Sequence, residues 1–119
     1  MNLRCTREPL LAALQTAAAV VPSRSTRPVL TNVKLDVDGS TAILSATDLE
    51  IGIRTEIEGV ETTAAGSVLL PSVRLMAIVR ESPPGTTFEI ETDGNVTVVK
   101  AARSLFRLPA EDPVEFPSV

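Results

Sequence analysis

The sequence contains no histidine, no tryptophan, no tyrosine and a single cysteine, Cys5. Without an imidazole, neither a Ser-His-Asp nor a Cys-His relay can be assembled, and no histidine-ligated metal site can form. One cysteine excludes an internal disulfide and a thiolate cluster. Set in an alternating apolar segment, Cys5 reads as a small buried side chain. The six glycines are scattered among turns, so there is no glycine-rich phosphate loop. Aromatic residues make up 3% of the chain, too few for the stacking platforms of a single-strand nucleic-acid binder. No apolar run approaches the roughly 20 residues that cross a bilayer. The opening "MNLRCTREP" has neither the charged start nor the apolar centre of a signal peptide. The expectation is a cytoplasmic protein with no membrane partner and no cofactor.

Positive charge is also short. Eleven Lys and Arg against fifteen Asp and Glu give a net charge of −4. A protein that grips DNA by neutralising phosphates usually carries a basic excess. Contact with nucleic acid would therefore need locally concentrated charge or a topological hold. What the chain does have is the composition of a folded protein: 44% hydrophobic and 22% charged over 119 residues, enough for one domain with a real core.

The pattern of that domain is written twice. "NVKLDVDGSTAILSATD" and "TTFEIETDGNVTVVKAA" each run an alternating strand into Asp-Gly and out into a second strand. Period-two alternation marks a half-buried strand, and Asp-Gly supplies the positive backbone angles of a tight hairpin. A short strand and a helix precede each hairpin. In the first half these are "NLRCT" and a helix opening after Thr6, which can cap it. The apolar stripe of this helix is Leu10, Leu14, Ala17 and Val21, with Leu11 and Ala18 beside it. In the second half they are "GSVLLP" and a helix from near Pro71 or Ser72, with the stripe Leu75, Met76, Ile78 and Val79, stopped by "ESPPG". A further strand closes each half: "LEIGIRTEIE" (49–58) and "SLFRLP" (104–109). The expectation is an α+β domain built from a duplicated β-α-β-β-β unit, with eight strands in two sheets and two helices packed on one side. The first half covers about 1–60 and the second about 65–110. The acidic, proline-broken 110–119 reads as a linker toward a further domain.

The halves differ in one place. Between helix and hairpin the first carries the additional segment "VPSRSTRPVLTN", with Arg24 and Arg27 among Ser, Thr and Pro. A loop added to one copy of a duplicated unit is not explained by the shared core, and loops carry function more often than core elements. The one carboxylate pair, Asp48 and Glu50 in "SATDLEIGI", shares a strand face, as an acid/base or metal pair would. The alternative is that Asp48 bonds the backbone of its own turn. A sheet-edge module that binds peptides by strand addition is a further alternative.

The chain resembles the N-terminal domain of the DNA polymerase III beta subunit family, the bacterial sliding clamps. The resemblance rests on "REPLLAALQ", "RPVLTNVKLDV", "SATDLEIGI", "VLLPSVRLMAIVRESP" and "RSLFRLPAEDPVEFP", which together run the whole length. It implies a DNA-clamp (processivity) fold, about a third of a three-domain polypeptide. Two such polypeptides would close a homodimeric ring around duplex DNA, without base preference and without catalysis. Polymerase and clamp-loader subunits would bind later domains. By the same resemblance Arg24 and Arg80 face the DNA, and Arg7 and Arg27 join them by their positions at a helix start and in the loop. Phe106 and Leu108 would make apolar contacts with the second subunit, and Arg74 and Arg103 would meet acidic groups there. Val96 and Leu105 stand where other members can carry basic residues. Arg107 would compensate from a different strand phase.

Overall fold

The computed structural model describes residues 1–23, 25 and 27–119. β1 (Asn2–Thr6) leads directly into α1 (Arg7–Ala18); a 3₁₀ turn at Pro28–Thr31 then opens the hairpin β2 (Asn32–Asp38) and β3 (Thr41–Thr47). β4 (Gly52–Glu56) and β5 (Glu61–Ala64) follow. β6 (Gly66–Pro71) and α2 (Ser72–Glu81) start the second half, and β7 (Thr87–Asp93), β8 (Val96–Ala101) and β9 (Ser104–Pro109) complete it. Both Asp-Gly turns form as their chemistry requires, with Gly39 at φ 57° and Gly94 at φ 64°.

Two antiparallel sheets result, in the strand orders β5-β1-β7-β8-β9 and β4-β3-β2-β6. The first strand of each half pairs with the hairpin of the other half: β1 on β7, with Leu3 opposite Ile90, and β6 on β2, with Val68 opposite Leu35. The halves are therefore interlocked, and neither sheet can form from one half alone. α1 and α2 lie against each other over the inward apolar faces. Leu10, Leu14 and Ala17 of α1, and Leu75 and Val79 of α2, are buried with Leu3, Val33, Leu35, Leu44, Phe88 and Ile90 in one core. Burying a side chain of this kind is worth about 1.5–3 kcal/mol, so the apolar stripes, rather than helix propensity, hold both helices in place.

Three expectations need correction. There are nine strands rather than eight, because "LEIGIRTEIE" is not continuous. Leu49 takes φ 82° in a turn ahead of β4, and Gly59 at φ 69° reverses the chain after buried Ile57 so that it returns as β5 beside β1. Thr6 stands at the N-terminus of α1 in an extended conformation, but its hydroxyl makes no capping hydrogen bond; the Arg7 N–H donates instead to the Thr86 carbonyl at 2.8 Å.

The third concerns the segment after β9, which does not behave as a free linker. Leu69 and Glu111 exchange backbone hydrogen bonds at 3.0 and 3.3 Å, and the buried Asn32 amide donates to Glu111 Oε2 at 3.1 Å. Asp112 accepts from Val114 N–H to open a 3₁₀ turn at Pro113–Glu115, and Phe116 is buried. Prolines forbid a regular strand here, yet the N–H and carbonyl of Glu111 still find β6.

Candidate nucleic-acid and subunit interfaces

The two segments of sequence that contain the helices hold what positive charge the chain can spare. Residues 7–31 and 72–86 contain Arg7, Arg24, Arg27, Arg74 and Arg80 against only Glu8 and Glu81, so the acidic excess lies in the strands, turns and tail. On α2 the exposed side chains are Val73, Arg74, Ala77, Arg80 and Glu81. On α1 they are Glu8, Ala12, Gln15 and Thr16, which are mostly small or neutral. Arg74 and Arg80 are in no ion pair among the described residues. Arg27 is exposed just before the 3₁₀ turn, its N–H donating to Ser25 Oγ at 3.0 Å. Arg24 lies outside the described residues.

Arg7 leaves the DNA-facing set. Its Nε donates to the Val79 carbonyl and its Nη2 to the Arg80 carbonyl, both at 3.0 Å, while Nη1 meets Glu8 Oε2 at 3.1 Å. Only 16% of the side chain is accessible. Its charge satisfies the orphan carbonyls at the C-terminus of α2, where a cation is favoured by the helix dipole. Glu8 in turn accepts the Gly85 N–H at 3.0 Å. The Arg7 hydrogen bond, opposed by desolvation and aided by Gly85, holds the Glu8 carboxyl below its ordinary range.

Asp48 is likewise occupied by structure. Its Oδ1 accepts from Ile51 N–H at 2.8 Å and Glu50 N–H at 2.9 Å, and these bonds depress its pKa. Thr47 Oγ1 accepts from Leu49 N–H and donates to the Ile51 carbonyl, completing a closed turn. Glu50 is exposed and no part of this network beyond its backbone. The backbone alternative read from the sequence accounts for Asp48 in full.

The β9 edge is more divided than the sequence reading held. Leu108 is only 5% exposed and belongs to this domain's own core, so it is not a surface contact. Phe106 is half-buried and packs against the same core, at the end of a groove of about 430 Å³ formed with Ile78, Ser82, Pro83 and Thr86. Period two then sends Leu105 and Arg107 to the opposite face, where Leu105 is 52% exposed. Arg107 is thus in phase with Leu105, not out of it. Arg103 is exposed in the turn before the strand. Among the described residues β9 has no partner on its far side, nor has β4, whereas the β6 edge is covered by Glu111.

Comparison with known proteins gives this geometry a family. The family described as DNA polymerase III beta subunit, N-terminal domain, matches residues 1–119. The beta sliding clamp of Pseudomonas putida is 37% identical over 119 residues, and that of Escherichia coli K12 29% identical over the same length; the chain spans 32% of each. Among solved structures, the Caulobacter crescentus pol III beta superimposes with a TM-score of 0.94 at 34% identity, and the Pseudomonas aeruginosa DNA polymerase III subunit beta with 0.91 at 36%. All of this chain and 32% of each of those chains is covered. The two-sheet, two-helix α+β arrangement is the clamp-domain fold, and the chain belongs to the DNA polymerase III beta subunit family, matching its N-terminal domain.

Proposed function

We propose that this chain serves as one domain of a ring-shaped processivity clamp, which encircles duplex DNA and tethers a replicative polymerase without catalysing any step itself. The observation that carries the reading is the match of the whole chain to a domain of solved sliding clamps. The charge distribution fits it. A helix face bearing Arg80, and the exposed Arg27 ahead of the 3₁₀ turn, would line the hole, where a few cations near the phosphates permit sequence-independent contact. An acidic exterior is no obstacle when the hold is topological.

The sheet edges fit as well. With β6 covered and β5 only four residues long, β4 and β9 are the edges suited to strand addition. One would join the following domain and the other a second subunit. Two different edges give a head-to-tail contact, which closes into a ring when the rotation allows. Phe106, Arg74, Arg103 and Arg107 would flank the joint at β9. Polymerase and clamp-loader subunits would dock on later domains, in the cytoplasm.

The test is topological. The polypeptide carrying this domain, loaded on a nicked circular duplex, is expected to stay bound through gel filtration and to fall off once the circle is linearised. Equal retention on both forms would sink encirclement.

A further inference from the structure

We infer that residues 111–119 dock as a strap across the outward face of the four-stranded sheet, and that Gly52 is the position that admits them. This sheet turns Val33, Leu35, Val68 and Leu70 to the core, so its other face is the one expected to meet solvent. Part of that face does not. Leu69, Asn32, Ser45 and Thr47 point outward by alternation, and all four are buried. On β3 burial alternates as far as Leu44 and then stops: Ser45, Ala46 and Thr47 are buried in succession. A strand buried on both faces has a second layer over it.

That layer is the chain after β9. Glu111 pairs with Leu69 on β6 and accepts the Asn32 amide, and Phe116 buries its ring beyond them. Pro117, Ser118 and Val119 then line a cleft of about 180 Å³ together with Lys34 of β2, Ser45 of β3 and Arg54 of β4. The path runs across the strands, from β6 over β2 and β3 to β4.

At its end the strap meets Gly52. A Cβ placed on Gly52 would stand 2.6 Å from Val119 Cγ1, 3.5 Å from Val119 Cβ and 3.7 Å from Val119 Cα. These are its three nearest neighbours, so it is the strap that would resist a side chain here. Gly52 opens β4 opposite Thr47 and is not among the glycines of positive φ. Its backbone would therefore accept any residue; what the position lacks is space. Glycine within a strand marks such a close approach. A strap held this closely fixes where the chain leaves the sheet, beside β4, by contact rather than by tether length.

Backbone ¹⁵N relaxation on this chain and two variants tests the strap. In the unchanged chain Ser118 should have an order parameter near 0.85, like the strands, where an undocked segment falls below about 0.6. Gly52→Val adds a β-branched residue that suits a strand, so β4 itself should keep its pairing. The added methyls occupy the place of Val119, and the Ser118 value should drop below about 0.6. The double variant Gly52→Val with Val119→Ala removes the colliding Cγ1 and should restore Ser118 toward its original value. A mobile Ser118 in the unchanged chain would overturn the docking. An ordered Ser118 in Gly52→Val would overturn the role of Gly52. Unfolding of Gly52→Val, or loss of order that the double variant does not recover, would mean that the glycine serves β4 rather than the strap, and the inference fails.

Discussion

The guanidinium of Arg7 ends a helix that starts 65 positions later in the chain (72 − 7): its Nε donates to the Val79 carbonyl at 3.0 Å, in the last turn of α2. With Nη2 on the Arg80 carbonyl and Glu8 Oε1 on the Gly85 N–H, the first turn of α1 holds both the end of α2 and the loop behind it. The two interlocked halves are thereby joined at the helix layer as well as through the exchanged strands β1 and β6.

Arg7→Ala should therefore lower unfolding stability by about 2 kcal/mol, the usual loss for hydrogen bonds from a charged donor that leave carbonyls part-buried. Urea titration reads it as a lower midpoint at unchanged slope. Duplex affinity should be unaffected. An unchanged midpoint with weakened DNA association would return Arg7 to the DNA-facing set.

Acid should loosen both this clasp, through Glu8, and the turn that Asp48 closes ahead of β4. Glu8 and Asp48 are both lowered from ordinary values of 4.5 and 3.8, by Arg7 in one case and by the Ile51 and Glu50 N–H groups in the other. A depressed carboxylate contributes stability that is complete above its unfolded pKa and lost as pH falls through the lower folded value. The melting temperature should hold from neutral pH to about pH 5 and decline below it. Glu8→Gln and Asp48→Asn should each flatten that decline; an unaltered slope in both would show that other carboxylates govern it.

Much of this fold was legible in the sequence, because periodicity and turn chemistry are local. Val33, Leu35 and Val37 lie on the core face as their alternation indicates, and both Asp-Gly hairpins form. What escaped was non-local. No feature near Arg7 in the chain says that α2 carbonyls will lie within reach, and nothing near Glu111 says that β6 will pair with it. The β9 strand shows the limit most plainly. Alternation separates Phe106 and Leu108 from Leu105 and Arg107, but which set faces the core is decided by where α2 packs. The resemblance alone put Leu108 on the surface; the fold buries it.

Leu108→Ala should accordingly act on stability, costing about 2–5 kcal/mol as a buried leucine truncation. Arg103→Ala, at an exposed turn, should stay within about 0.5 kcal/mol in the same thermal or urea unfolding experiment. Near-equal stability of the two variants would mean that β9 does not seal the core.

The DNA-facing charges should reveal themselves through salt. Each cation that neutralises a phosphate adds about 0.9 to the slope of log affinity against log salt. Arg80→Ala and Arg27→Ala should each reduce the weak affinity for linear duplex and lower that slope by about one. Arg54→Ala, on the outward face of the four-stranded sheet, should change neither. If Arg54→Ala has the larger effect in a fluorescence-anisotropy titration, DNA lies against the sheets and not the helices.

The tail offers the last test, since its docking was invisible in the sequence. Glu111 occupies the hydrogen-bonding edge of β6, and Phe116 places a buried ring beyond it. Ending the chain at Pro109 would expose the Leu69 N–H and carbonyl, leave the buried Asn32 amide without its carboxylate partner, and uncover the apolar surface beneath Phe116. Unpaired strand edges recruit other strands, so the shortened protein should self-associate as well as melt earlier. Phe116→Ala separates the two effects: it should cost about 3 kcal/mol for the lost ring while keeping the Glu111 pairing and the association state of the intact chain. Sedimentation and thermal melts on the two variants decide the matter. If the shortened chain associates no more than the intact one and its melting point is unchanged, the tail does not protect β6, and the Leu69–Glu111 bridge contributes nothing to the isolated domain.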